Sequence, residues 1–151
     1  MDQATYQDEL RQVLEAHAAE AGANLSWVLN NMPEKTRELH IIVMPDQDGE
    51  GTFSIIVSLD GPDLYVLNKA IRSRYELFSV RHTETGLSPK VPLLDPDEID
   101  FEVNDAIVDT AADWVLAIWL KVGAGHCQVP AMVFGHDEWG TMTPIELSRG
   151  P

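Results

Sequence analysis

Residues 38–60 read ELHIIVMPDQDGEGTFSIIVSLD, two apolar runs separated by a short polar segment. β-Branched and aromatic side chains dominate both runs, which is typical of strands. The segment between them carries Gly49 and Gly51, and glycine permits the positive φ that a chain reversal needs. The pattern predicts a β-hairpin, and we expect the rest of the chain to pack on it.

A helix precedes this hairpin. Apolar residues recur at helical spacing over residues 2–21, with charged residues between them. Gly22 is expected to end the helix as its C-cap. Residues 25–29 predict either a short second helical turn or a continuation of the first helix past a kink, before Pro33 breaks the pattern.

The region after the hairpin predicts a shorter helix, a strand and a loop. The helix is expected from Leu64 to about Arg74, with Asp63 as its N-cap. Residues 77–83 predict a third strand. Residues 84–100 are rich in proline, which indicates an ordered but irregular loop.

The longest helix is predicted over residues 104–122, with Asn104 as its N-cap. Its apolar positions widen toward the C-terminal half, which indicates burial nearly all round. Trp114, Ile118 and Trp119 are therefore expected in the core.

The last third of the chain predicts a second hairpin, with strands over residues 129–134 and 141–147 and a loop over residues 135–140. Pro144 demotes the return strand to an edge. The fold predicted for this single domain, residues 1–151, is α+β. It has a largely antiparallel sheet of about five strands, two hairpins plus one strand, covered by two long helices and a shorter one.

Composition restricts the possible partners. The chain of 151 residues has a formal net charge of −15, which opposes binding to nucleic acid or to an anionic membrane surface. The same charge favours a basic protein as partner. A single cysteine, Cys127, fits a reducing compartment, and the N-terminus shows no signal peptide. We expect a cytoplasmic protein, and the sequence does not indicate its oligomeric state.

Acidic residues are concentrated before and within the longest helix. Eight acids and no Lys or Arg lie between residues 95 and 113. Asp105, Asp109 and Asp113 are spaced four apart and should share one exposed side of the helix, where like charges repel one another. The loop of the second hairpin adds Glu138 and Trp139, and tryptophan in such a loop is often a binding anchor. These five residues are the candidate binding site.

A second candidate site would gather polar side chains near the long loop. Arg81, His82 and Glu84 lie at the end of the third strand, and His136 lies in the second hairpin. His82 and Glu84 would point to the same side of a strand, as metal ligands or acid–base groups require. We nevertheless expect no metal and no cofactor.

Three motifs with specific chemistry are incomplete. The carboxylates of residues 46–51 lack EF-hand spacing, because the twelfth position from Asp46 is Val57 instead of glutamate. The His-x-Glu at His82 lacks the Pro-Cys-x-x-Cys that zinc deaminases carry. Cys127 is expected to be a small buried hydrophobe.

The run PDQDGEGTFSIIVSLDGPDLYVLNKAI, together with RHTETG and VNDAIVD further on, resembles a group of small uncharacterised bacterial proteins that form a domain of unknown function. The likeness covers most of the chain, and it implies no catalytic residue. In size, acidity and α+β pattern the chain is also similar to toxin-neutralising immunity proteins.

Two functions remain open at this point. The first is a non-catalytic binding protein, for example an immunity-type protein whose acids occupy the basic groove of a toxin. The second is a small enzyme or ligand-binding domain with a site near His82, Glu84 and residues 84–100.

Overall fold

The predicted hairpin lies at the centre of the sheet. In the computed structural model, which describes residues 1–147, β1 (Glu38–Pro45) pairs antiparallel with β2 (Phe53–Asp60) in unbroken register. The turn is closed at Asp46, whose backbone N–H donates to the carbonyl of Thr52 and whose carboxylate accepts from the Thr52 hydroxyl. The prediction of a hairpin here is confirmed.

The sheet is mixed, so the expectation of a largely antiparallel sheet is wrong. Besides β1 and β2 it contains β3 (Glu76–Ser79), β6 (Ala131–Gly135) and β7 (Ile145–Glu146). Its strand order is β3-β2-β1-β6-β7, and β1 pairs parallel with β6, with Leu39 opposite Ala131. The parallel pair arises because the long helix carries the chain back to the end where β1 begins, which places β6 beside β1 in the same direction.

The predicted third strand is divided. β3 joins the main sheet, whereas β4 (Arg81–Thr83), the end of the predicted strand, forms a separate two-stranded ladder with β5 (Gly86–Ser88). β5 lies in the region that was expected to be an irregular loop. The edge position expected for the return strand of the second hairpin is confirmed, because β7 pairs with β6 alone among the strands of residues 1–147.

Four α-helices accompany the sheet, one more than expected. They are α1 (Gln3–Ala16), α2 (Ala18–Asn30), α3 (Leu64–Lys69) and α4 (Val103–Val122). Short 3-10 turns lie at Pro96–Glu98 and His136–Glu138. None of these helices is both long enough and apolar enough to cross a membrane.

The first predicted helix breaks at His17, and Gly22 lies inside α2. The expectation that Gly22 is a C-cap is therefore wrong. A Cβ placed on Gly22 would lie 3.7 Å from a Val122 methyl group, which is an ordinary contact distance, so packing against α4 does not require glycine here.

The start of α4 also differs from the prediction. Glu102 is the N-cap, and Asn104 lies in the first turn, where it is 5% exposed. Its amide donates to the Asp46 carbonyl at 3.3 Å, which ties α4 to the tip of the β1–β2 hairpin. The predicted cap of α3 is confirmed, because the Asp63 carboxylate accepts from the backbone N–H of Val66.

The core lies between the long helices and one face of the sheet. Alternate residues of the central strands are buried on that face, among them Leu39, Ile41, Ile55, Val57 and Val133. The predicted burial of the inner face of α4 is confirmed, since Trp114, Ile118 and Trp119 are 3%, 6% and 1% exposed.

Candidate functional site

The opposite face of the sheet keeps its side chains half exposed, and we call it the open face. Its members on β1, β2 and β6 are Glu38, His40, Ile42, Met44, Ser54, Ile56, Ser58, Asp60, Met132 and Phe134. Antiparallel strands with one solvated face normally carry polar residues there. Five of these ten residues are apolar, and they lie together away from the paired acids Glu38 and Asp60, which indicates a surface suited to contact.

The apolar residues form a row across three strands. Ile42 lies opposite Ile56 of β2 on one side and opposite Phe134 of β6 on the other. The neighbouring row places His40 between Ser58 and Met132. Because paired residues on one face have adjacent side chains, the first row is a continuous apolar strip.

A pocket of about 460 Å³ lies at the β6 end of this strip, and we call it the β6 pocket. The strands contribute His40, Met132, Phe134 and Gly135, and the chain beyond β6 contributes Glu138, Trp139, Thr143 and Pro144. The rings of His40 and Phe134 meet edge to face, with centroids 5.4 Å apart. The Glu38 carboxylate lies 3.5 Å from the His40 ring.

Carboxylates of α4 hold the loop that forms one wall of this pocket. Asp105 accepts a hydrogen bond from the backbone N–H of Gly140 at 2.8 Å. Asp109 accepts from the backbone N–H groups of Thr141 and Met142, at 2.8 and 3.1 Å, and from the Thr141 hydroxyl at 2.6 Å. The loop is therefore fixed to the helix at three consecutive residues.

The backbone of the loop adopts costly conformations that place Trp139. Asp137 and Glu138 have φ values of 55° and 64°, in the left-handed region. Each such residue costs about 1–2 kcal/mol for a side chain larger than glycine. A Cβ at Gly135 would collide with the Trp139 carbonyl, so glycine is required for the chain to fold back this closely. Trp139 is half buried and packs against the core.

The predicted acidic stripe is only partly exposed. Asp113 is exposed, but Asp105 and Asp109 are half buried and bonded to the loop. The expectation that all three carboxylates share a solvated face is therefore wrong. Their four-residue spacing is explained by a loop that runs along the helix. Glu138 and Trp139 do lie together, in the wall of the β6 pocket.

The residues of the alternative site are exposed and lie in two separate hairpins. Arg81 and His82 belong to β4, and Glu84 lies in the turn that follows. Arg81 is bound to Glu76 at 2.7 Å. His136 follows β6, and its ring lies 3.6 Å from the carboxylate of the adjacent Asp137. Among residues 1–147, no three His, Cys, Asp or Glu side chains are grouped to hold a metal ion.

Cys127 has the environment of an unreactive thiol. Burial raises its pKa, and a backbone hydrogen bond at Val129 opposes this only in part. A raised pKa lowers the thiolate fraction at neutral pH, and the thiolate is the nucleophilic form.

A second pocket, of about 370 Å³, lies on the β2 side of the open face, and we call it the α3 pocket. Its walls include Tyr65, Lys69 and Arg72, and the Arg72 guanidinium lies 5.8 Å from the centroid of the Tyr65 ring. The open face is thus bounded by cations at this end and by carboxylates at the other.

Sequence reasoning missed the open face and both pockets. The available signal was the runs HIIVM and SIIVS, which are apolar at adjacent positions where a half-solvated strand should alternate. Such runs indicate strands with contact on both faces. Three consecutive apolar residues at the start of the predicted third helix, Leu64, Tyr65 and Val66, were a second signal, because one helix face cannot bury all three. The structure leaves all three exposed.

Fold and surface together define a small α+β protein with a partly apolar, partly exposed sheet face. The chain belongs to the Family of unknown function (DUF6389), which matches residues 1–149. No curated protein and no solved structure matches the chain.

Proposed function

We propose that this protein is a non-catalytic binding module that docks a basic partner protein on its open face. The observation that carries the proposal is the apolar strip formed by Ile56, Ile42 and Phe134 on neighbouring strands. These three side chains are partly exposed, and a continuous apolar group at the surface is typical of interaction sites.

The charge around the strip supports a basic partner. Glu38 of β1 and Glu146 of β7 lie on or beside the open face, and Glu138 lies in the wall of the β6 pocket. The net charge of −15 would steer a positively charged protein toward this surface and repel nucleic acid. An immunity protein that neutralises a basic toxin is one concrete form of this function.

The area of the open face is smaller than a stable complex buries, which indicates that the two pockets also contact the partner. β1 has eight residues and the sheet has five strands. The face therefore covers at most about 27 Å by about 24 Å, or about 650 Å². A stable complex buries about 800 Å² on each partner. The missing area is available on α3 and on the loop that carries Trp139, which flank the sheet. The cations of the α3 pocket, Lys69 and Arg72, would then set the orientation of the partner.

The test compares two charge insertions at apolar residues. Tagged protein would be used to capture partners from the source cell, with Ile42→Lys on the open face and Leu120→Lys on α4 as the matched control. Leu120 is 48% exposed and lies away from the open face. We expect Ile42→Lys to lose at least about tenfold of the capture and Leu120→Lys to retain it. Equal capture by both variants, with both folded, would contradict the proposal.

The kinetics of a purified complex give a second readout. Higher salt should slow association, because screening weakens electrostatic steering. Trp139→Ala should speed dissociation if Trp139 anchors the partner. An interaction that responds to neither change would not use this end of the face.

The alternative of a ligand-binding domain near His82 and Glu84 makes a different prediction. A small molecule would raise the melting temperature, and Glu84→Gln would abolish that shift. Ile42→Lys would leave it unchanged.

A further inference from the structure

We infer that the β6 pocket is a receptor for a single cationic side chain, with arginine preferred over lysine. That this side chain belongs to a partner protein rests on the proposed function, whereas the preference for a cation is argued from the residues of the pocket. His40, Phe134 and Trp139, three residues with aromatic rings, line the pocket together with the flexible Met132.

The walls fit a ligand with an apolar stem and a charged end. The pocket is lined mainly by carbon, and its volume of about 460 Å³ lies within the range of small-molecule sites. Aromatic rings attract cations through their electron-rich faces, and tryptophan does so most strongly. An aliphatic stem would contact Met132 and Pro144 while its charged end reaches the rings.

The charges at the pocket select a cation over an anion. Glu138 is in the wall, Glu38 lies 3.5 Å from the His40 ring, and Glu146 is paired with Met132 across β7 and β6. No Lys or Arg of residues 1–147 lines this pocket. An anionic ligand would be repelled, and an uncharged one would cover Glu138 without neutralising it.

The aromatic and acidic side chains of the β6 pocket fit arginine better than lysine. A guanidinium is planar, stacks on aromatic rings and pairs with a carboxylate through two parallel hydrogen bonds. Lysine presents a compact, strongly hydrated charge that gains less from the same walls. Asp105 and Asp109 hold the backbone at Gly140 and Thr141, so the chain next to Glu138 and Trp139 is fixed before the ligand arrives.

The test needs no partner protein. Four capped amino acids would be titrated at pH 8 into isotope-labelled protein: N-acetyl-arginine amide and the corresponding lysine, norleucine and glutamate amides. NMR shifts of the Trp139 indole and the Met132 methyl group report on the pocket. We expect dissociation constants in the millimolar range, tightest for arginine and about two- to fivefold weaker for lysine. The norleucine and glutamate amides should shift neither group.

Two variants with the same change of charge locate the effect. Glu138→Gln should weaken the arginine amide by about two- to fivefold, whereas Glu84→Gln, in the exposed β4–β5 turn, should leave it unchanged. Equal binding of norleucine and arginine would show an apolar socket and overturn the inference. The absence of any shift at tens of millimolar arginine amide would overturn it as well.

The outcome is separable from the proposed function. If the arginine amide binds while Ile42→Lys leaves partner capture intact, the docking proposal fails and the cation receptor stands. If Ile42→Lys abolishes capture but no amide binds, the docking face stands and the cation receptor fails.

Discussion

Asp109 of α4 holds Thr141 at two points, accepting from its backbone N–H through one carboxylate oxygen and from its hydroxyl through the other, at 2.8 and 2.6 Å. The same carboxylate also accepts from the backbone N–H of Met142. A charged acceptor for consecutive loop amides fixes the loop more firmly than a neutral one, because hydrogen bonds to ionised groups are stronger.

Asp109→Ala should therefore release the loop. We expect a loss of about 1–3 kcal/mol of unfolding free energy, together with faster hydrogen exchange at the amides of Thr141 and Met142. Asp113→Ala is the control, because it removes the same charge from an exposed position on the same helix. Equal exchange rates in the two variants would show that Asp109 does not hold the loop.

Gly22→Ala should stabilise the protein by about 0.5–1 kcal/mol, because alanine is the better helix former. The added methyl would meet Val122 and Ile118 at 3.7 and 3.8 Å, which are ordinary contact distances. Gly123→Ala should destabilise instead, because its Cβ would come within 2.6 Å of the Trp119 ring. Chemical denaturation of both variants checks the pair, and a loss of stability in Gly22→Ala would show that α2 and α4 lie closer than described.

Trp114→Ala should cost about 3–5 kcal/mol, because it removes a large buried side chain and leaves a cavity. Leu120→Ala on the same helix should cost much less, since Leu120 is 48% exposed. Thermal unfolding measures both, and similar melting temperatures would mean that α4 presents a different side to the core.

Tyr6→Phe should change the free energy of unfolding at alkaline pH. The Tyr6 hydroxyl is buried without a hydrogen-bond partner among residues 1–147, and burial raises its pKa above the ordinary value of about 10. The folded state therefore holds this proton more tightly than the unfolded state. Its contribution to stability is complete below pH of about 10 and is lost as pH rises toward the folded pKa.

At neutral pH the variant should be as stable as the parent or slightly more so, because it removes a desolvated hydroxyl. Above pH of about 10 it should lose less stability than the parent. Tyr65→Phe, at a side chain 64% exposed, is the control. Parallel pH profiles for the parent and Tyr6→Phe would contradict the burial of the phenol.

Local periodicity was sufficient for part of this fold. The β1–β2 hairpin and the burial of Trp114 and Trp119 follow from spacing along one element, and spacing is written in the sequence. The division of the first helix at His17 does not follow from spacing, because the buried positions Leu14 and Ala21 keep helical spacing across the break.

The candidate site depended almost entirely on contacts between distant residues. The spacing of Asp105 and Asp109 was recognised, but the loop that covers them comes from after β6 and leaves no mark on the helix pattern. Glu138 and Trp139 were selected on composition and do share a pocket wall, whereas their neighbours His40 and Phe134 are brought to it by strand pairing.

The pairing of Leu39 with Ala131 sets an order of events for the chain as it leaves the ribosome. The β1–β2 hairpin can close early, because its partners are near in sequence. The amides and carbonyls on the other edge of β1 then stay unpaired until α4 has been synthesised and β6 can pair with that edge. Contacts between such distant residues slow folding, and an open apolar strand edge can pair with another copy in the meantime. Nascent chains that stop before β6 should therefore be the species most prone to aggregate and most dependent on chaperones.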